Sequence, residues 1–166
     1  MDTILRDIEK GLRDLRDHLT AIRTIRHPEA AVVSPTYFRE PGWRALNTLP
    51  GTYFVLLANM ELLLSSVCDQ VAPEASARHF ANTLATRESG YWSQGAIANG
   101  VADLAVELRV LSDRERSQLL AEQPWDQREF RIVDVVSGLE GQIRFLTGLV
   151  AELKKRAAEN REIQNA

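Results

Sequence analysis

The fold class is decided by residues 5–22, which read LRDIEKGLRDLRDHLTAI. The apolar side chains in this stretch recur with alternating gaps of three and four residues, which is the spacing of a heptad repeat along one side of an α-helix. Charged residues fill most of the other positions, and Pro28 prevents the helix from continuing much further. The pattern predicts a long amphipathic first helix over about residues 3–26.

The same spacing returns near the other end of the chain, between Ile132 and Leu153. It predicts a long last helix over about residues 128–160, preceded by a capping box of Asp126 and Glu129. The apolar stripe is lost in the final residues, so we expect residues 157–166 to fray or to project as solvated helix.

An amphipathic helix must bury its apolar stripe against a partner. The first and last helices are therefore predicted to meet each other antiparallel, or to extend the contact to a second chain. The residues of this predicted oligomer seam are Leu5, Ile8, Leu12, Leu15, Leu19, Ile22, Leu139, Ile143, Leu146, Val150 and Leu153. A homo-oligomer or a complex subunit is the expected state.

Three or four shorter helices are predicted between the two long ones. Residues 53–67 are apolar around nearly the whole helical circumference, which is typical of a helix buried on most sides. Ser112 with Glu115 has the spacing of a second capping box. Because no stretch alternates apolar and polar residues over the length of a strand, we expect one all-α domain over residues 1–166, a bundle of about five helices.

Composition excludes several classes of function. A formal charge of −3 lacks the positive surplus that nucleic-acid binding requires, so this class of partner is disfavoured. The most apolar stretch, residues 53–68, contains Asn59 and Glu61 and is too short and too polar to span a bilayer. Three histidines and one cysteine, Cys68, are too few for the usual zinc or di-iron sites. We expect no metal, no cofactor, no membrane segment and a cytoplasmic protein.

Residues 28–50 are predicted to form a long loop, because they contain four prolines. The loop is either a strap over the bundle, with its aromatic side chains filling gaps between helices, or a partner-binding segment. Aromatic residues and arginines are typical interface anchors, and Trp43 is the expected anchor. The candidate partner-binding residues are Tyr37, Phe38, Arg39, Trp43 and Arg44.

Two single residues carry hypotheses of their own. Glu61 lies within the apolar run and is predicted to be a buried carboxylate, which needs a polar partner such as Arg144 unless it faces the bundle edge. A small-molecule pocket beside Glu61 is a further possibility. His79 is on a predicted helix, but no lysine follows it as in phosphotransfer bundles, so we expect no phosphoryl chemistry there.

Residues 49–71, LPGTYFVLLANMELLLSSVCDQV, resemble the central helix of HEPN-type bundles, which are all-α domains of toxin–antitoxin and phage-defence systems. Active members carry an arginine followed four to six residues later by a histidine, near the start of a late helix. Here that spacing occurs at Arg13 and His18, with Asp14 after the arginine, but in the first helix. The resemblance implies a non-catalytic relative or a partner of a ribonuclease.

These observations favour a non-enzymatic helical interaction or assembly protein, a subunit or regulator of an oligomeric complex. The alternative is a HEPN-like RNA-cleaving protein, or its inactive partner, in which Arg13 and His18 would be the catalytic residues.

Overall fold

The computed structural model describes residues 2–26, 31–32, 40–88, 94–121 and 130–165. Within these ranges the chain forms a bundle of six helices, which confirms the predicted all-α class. The helices are α1 (Asp2–Ile22), α2 (Pro41–Val71), α3 (Pro73–Glu88), α4 (Gln94–Glu107), α5 (Asp113–Leu119) and α6 (Ile132–Asn165). Two short strands, β1 (Ala31–Val32) and β2 (Phe130–Arg131), pair antiparallel with Val32 opposite Phe130.

The apolar stripes of α1 and α6 are buried inside a single chain. Leu5 is partly buried and every other residue of the predicted oligomer seam is buried. Because α1 packs on both α2 and α6, these side chains are already covered and cannot also form an interface with a second copy. The assignment of this seam to an oligomer contact is therefore wrong, and the antiparallel meeting of the two helices is the alternative that holds.

Polar contacts fix the register of α1 against α6. Lys154 pairs with Glu9, Arg16 donates a hydrogen bond to the Thr147 hydroxyl over 3.1 Å, and Arg23 pairs with Glu140. Each step of seven residues forward along α1 is matched by seven residues backward along α6. Two helical turns per step keep all three contacts on the same side of each helix, so the two helices run antiparallel along most of α1.

Helix α2 is the centre of the bundle and packs against α1, α3 and α4. It begins at Pro41, so the loop predicted for residues 28–50 is wrong over residues 41–50. Proline is tolerated in the first turn, and Gly42, Leu46, Leu49 and Tyr53 are all buried at helical spacing across Pro50. Their burial outweighs the one hydrogen bond that Pro50 cannot donate. Residues 27–30 and 33–39 lie outside the described residues.

Helix α2 is also long and apolar enough to cross a membrane by length and composition, although 44% of its most apolar window is buried in the bundle. The core helix of a helical bundle has the same composition.

The structure confirms the capping box predicted for Ser112 and Glu115 and corrects the predicted end of the last helix. The capping box at the start of α5 is present: the backbone N–H of Glu115 donates to Ser112 Oγ, and the backbone N–H of Ser112 donates to the Glu115 carboxylate, each over 3.1 Å. The capping box predicted at residues 126–129 lies outside the described residues. Helix α6 continues to Asn165, so the predicted fraying is wrong for residues 157–165 and the helical alternative holds there, while Ala166 lies outside the described residues.

Helix α4 ends in a left-handed turn at Arg109, whose φ is 59°. The N–H of Val110 donates to the carbonyl of Ala105, and that of Arg109 to the carbonyl of Val106, each over 2.9 Å. This is the Schellman pattern, which usually has glycine at the left-handed position. From α6, the Arg156 guanidinium donates to the carbonyls of Leu108 (2.6 Å) and Arg109 (2.9 Å), so α6 holds the end of α4.

Candidate interaction surface and the adjoining polar cleft

Four large apolar side chains on α2 and α3 are exposed to solvent. Val55 and Leu62 on α2 are 58% and 56% exposed, and Phe80 and Leu84 on α3 are 64% and 42% exposed. In the described part of the chain, only Val71 and Val133 are comparable. We call these four residues, with Ala77 and Ala81 of α3, the α2–α3 apolar surface.

Helix geometry places the two halves of this surface on the same side of the bundle. Asp69 follows Leu62 by seven residues, which is two turns further along the same side of α2. Its carboxylate accepts a hydrogen bond from the Ser76 hydroxyl of α3. Ser76 is one turn before Phe80. The Asp69–Ser76 bond therefore joins the two helices on the side that carries Leu62 and Phe80.

Helix α3 directs an apolar stripe outward. Ala77, Phe80, Ala81 and Leu84 follow the i, i+3, i+4, i+7 spacing of one helical face, and all four are exposed. A helix with such a stripe normally buries it against the core. The opposite face, which includes His79, is turned towards α2 and α4 instead, so the apolar stripe has no partner within the described residues.

A polar contact explains this orientation of α3. His79 Nε2 lies 3.7 Å from Glu61 Oε2, and each side chain is only 16% exposed. The Thr83 hydroxyl lies 3.4 Å from the same imidazole nitrogen and donates to the backbone carbonyl of His79. The partner of Glu61 is thus His79, and the pairing predicted with Arg144 is wrong: Arg144 is an exposed residue of α6. The pair joins α2 to α3 beneath the exposed stripe.

Helix α4 completes a cleft around the Glu61–His79 pair. A β-carbon on Gly100 would lie 2.7 Å from Glu61 Oε2 and 3.0 Å from His79 Cε1, so α4 approaches this closely because residue 100 has no side chain. The cleft has a volume of about 260 Å³ and is also lined by Asn82, Asn99 and Asp103. Asp103 is paired with Arg116 at 2.9 Å. Among the described residues, no three His, Cys, Asp or Glu side chains are grouped as a metal site would need.

The structure does not bring Arg13 and His18 together. Five residues along a helix correspond to a rotation of about 140°. Arg13 lies on the side of Glu9, whose pKa is held below its ordinary value by Lys154 and, to a smaller extent, by Arg13. His18 faces α2, where its Nε2 lies 2.9 Å from the Thr48 hydroxyl and its Nδ1 donates to the carbonyl of Asp14 over 2.6 Å. The two side chains therefore do not form one catalytic site within the chain.

The predicted partner-binding residues are only partly described. Trp43 lies in the first turn of α2, is partly buried and packs against the core. Arg44 is exposed beside it. Tyr37, Phe38 and Arg39 lie outside the described residues, so the choice between strap and binding segment stays open for them.

Two features of the site were not predicted from the sequence. The outward stripe of α3 was readable as a helical apolar spacing, but nothing in the spacing gives the direction in which it points. The partner of Glu61 lies 18 positions away on another helix, and no local pattern links it to His79.

No protein-family model, no curated protein and no solved structure matches the chain.

Proposed function

We propose that this chain is a non-enzymatic interaction protein, a subunit or regulator of a protein complex, which binds another polypeptide through the α2–α3 apolar surface. The observation that carries the proposal is the outward stripe of α3, in which Phe80 is the more exposed of the two large apolar side chains. Contiguous exposed apolar side chains mark protein interaction sites. A large aromatic side chain at the middle of such a stripe is a typical anchor of binding energy.

The polar groups beneath the stripe support this proposal. Burying the stripe of α3 would require the helix to rotate, which would take His79 away from Glu61 and Ser76 away from Asp69. Leaving a mostly buried polar group without its partner costs about 1–3 kcal/mol. These contacts therefore favour the orientation that presents Phe80 and Leu84 to a partner.

The RNA-cleaving alternative has no comparable support. Its two candidate residues lie on different sides of α1, and His18 is engaged by α2.

Site-specific photo-crosslinking tests the proposal. A photoreactive amino acid replaces Phe80 in the full chain, expressed in its native host, and the matched control replaces Arg114, an exposed residue of α5 outside the surface. We expect irradiation to give a discrete covalent adduct with a polypeptide at position 80 and none at position 114. No adduct at position 80, or the same adducts at both positions, would contradict the proposal.

A further inference from the structure

We infer that the cleft around the Glu61–His79 pair is a binding site for a small organic cation, a short aliphatic diamine with two protonated amino groups. The inference goes beyond the proposed interaction function and does not depend on it, because the cleft and the apolar stripe lie on different faces of α3. It follows from the hydrogen-bonding groups that line the cleft and from their charges.

Glu61 is the more buried of the two carboxylates in the cleft, and it has unused capacity to accept hydrogen bonds. Its side chain is 16% exposed, and its contact with His79 Nε2, at 3.7 Å, is longer than a hydrogen bond. Glu61 accepts no hydrogen bond from the residues that the structure describes. Buried polar groups normally have hydrogen-bond partners, so this carboxylate can accept hydrogen bonds from a bound molecule.

Two neutral groups in the cleft also present acceptors. The Thr83 hydroxyl donates its one hydrogen to the backbone carbonyl of His79 over 2.9 Å, so its oxygen is left to accept. The Asn99 amide nitrogen donates to the carbonyl of Gly95 over 2.9 Å, which leaves the amide oxygen of Asn99 as an acceptor. A cleft with this surplus of acceptors fits a molecule that is rich in hydrogen-bond donors.

Asp103 supplies a second carboxylate at the mouth of the cleft. It lies three residues after Gly100 on the same side of α4, and its side chain is 62% exposed. Arg116 contacts only Asp103 Oδ1, at 2.9 and 3.0 Å, so Oδ2 can accept from a ligand. None of the described residues that line the cleft is a lysine or an arginine. Two carboxylates at different depths therefore favour a ligand with a positive charge at each end.

Other classes of ligand fit the cleft less well. An anion would lie beside both carboxylates without a lysine or an arginine in the lining to bind it. A metal ion lacks its ligands, since no three His, Cys, Asp or Glu side chains are grouped among the described residues. The volume of about 260 Å³ lies below the range of about 300–1,000 Å³ that is usual for pockets of drug-sized ligands, so the occupant is compact. Each protonated amino group has three donors, which match the acceptors of the cleft.

Calorimetric titration of the purified full chain with butane-1,4-diamine is the first test. We expect saturable binding of one molecule per chain, with a dissociation constant of about 1 mM or less. Butan-1-amine, which has a single amino group, should bind at least about tenfold more weakly. Butane-1,4-diol, which has the same length without charge, should give no saturable heat. The absence of saturable heat with the diamine, or equal affinities for the diamine and the diol, would overturn the inference.

A charge-removing variant tests the place of binding. Glu61→Gln should weaken the binding of butane-1,4-diamine at least about tenfold, because a charge-assisted hydrogen bond is lost. Asp17→Asn is the matched control, since Asp17 is an exposed carboxylate of α1 outside the cleft, and it should leave the affinity unchanged. Equal losses in the two variants would show that only the overall negative charge of the chain attracts the diamine. Circular dichroism of each variant confirms that it remains helical.

Asp103→Asn keeps the inference testable if Glu61→Gln does not fold, because Asp103 is at the exposed mouth of the cleft. This variant should weaken the binding of butane-1,4-diamine by about threefold, the effect of one exposed charge. It should leave the affinity for butan-1-amine unchanged, since a single amino group binds at Glu61. Losses of equal size for the two probes would overturn the assignment of a diamine with its second amino group at Asp103.

Discussion

Gly100 and Glu61 meet where α4 passes α2, and a β-carbon on Gly100 would lie 2.7 Å from the Glu61 carboxylate. A side chain at residue 100 would therefore force the Glu61 carboxylate to shift from its present position beside His79. This contact lies directly beneath the apolar stripe that we propose to bind a partner. A substitution at residue 100 that displaces Glu61 would therefore weaken a contact that holds α3 with its stripe facing outward.

The two helical glycines Gly100 and Gly148 should respond differently to alanine. Nothing lies within 4 Å of a β-carbon on Gly148, so Gly148→Ala is expected to stabilise the chain by about 1 kcal/mol through helix propensity. Gly100→Ala has the same propensity gain but displaces the Glu61 carboxylate. We expect it to be less stable than Gly148→Ala by about 1–3 kcal/mol. Urea unfolding of both variants measures the difference, and equal gains would show that Gly100 does not constrain Glu61.

The Glu61–His79 contact should appear as a coupling energy. Glu61→Gln and His79→Asn are expected to cost about 1 kcal/mol each, because both groups are mostly buried but not fully desolvated. The double variant should cost less than the sum of the two, by about 0.5–1 kcal/mol. Denaturant unfolding of the four proteins gives this value, and strict additivity would mean that the two side chains do not interact.

Arg109 holds a left-handed conformation that costs a residue with a β-carbon about 1–2 kcal/mol. Arg109→Gly is therefore expected to raise the free energy of unfolding by about 1 kcal/mol, while the backbone carbonyl at position 109 still accepts from Arg156. Arg109→Ala is the matched control, because alanine keeps the strain and should give no comparable gain. Thermal unfolding measures both, and a gain from alanine equal to that from glycine would contradict the assignment of strain.

Cys68 should be unreactive in the folded chain. Burial raises the pKa of its thiol, and the carboxylates of Glu107 and Asp69 raise it further. Since the thiolate is the reactive species, Ellman's reagent at neutral pH is expected to label the native chain far more slowly than the chain in denaturant. Equal rates would show that Cys68 is accessible in solution.

His18 is expected to have a structural role, because it joins α1 to Thr48 and Thr52 of α2. His18→Ala should lower the free energy of unfolding by about 1 kcal/mol. It should leave any RNA cleavage by the preparation unchanged, as should Arg13→Ala. Cleavage of a labelled RNA that is lost in both variants while they remain folded would favour the RNA-cleaving alternative instead.

The sequence was sufficient to predict the helices whose apolar spacing is long and regular, which are α1 and α6. The start of α2 was misplaced because the sequence shows that Pro50 cannot donate a backbone hydrogen bond within a helix. The sequence does not show the burial of the side chains on either side of Pro50, which outweighs that cost. The candidate surface was missed for a related reason: periodicity defines a stripe on α3, but tertiary contacts such as Asp69–Ser76 decide whether it faces inward.

The antiparallel contact of α1 with α6 has a consequence for synthesis of the chain. Glu9 and Lys154 are separated by 145 positions, so the side of α1 that faces α6 stays uncovered until the residues of α6 have left the ribosome. Contacts of such long sequence separation form late and slow folding. A nascent chain that stops after α5 would expose the apolar residues of α1 to aggregation or to chaperones, which makes the last helix the step that closes the bundle.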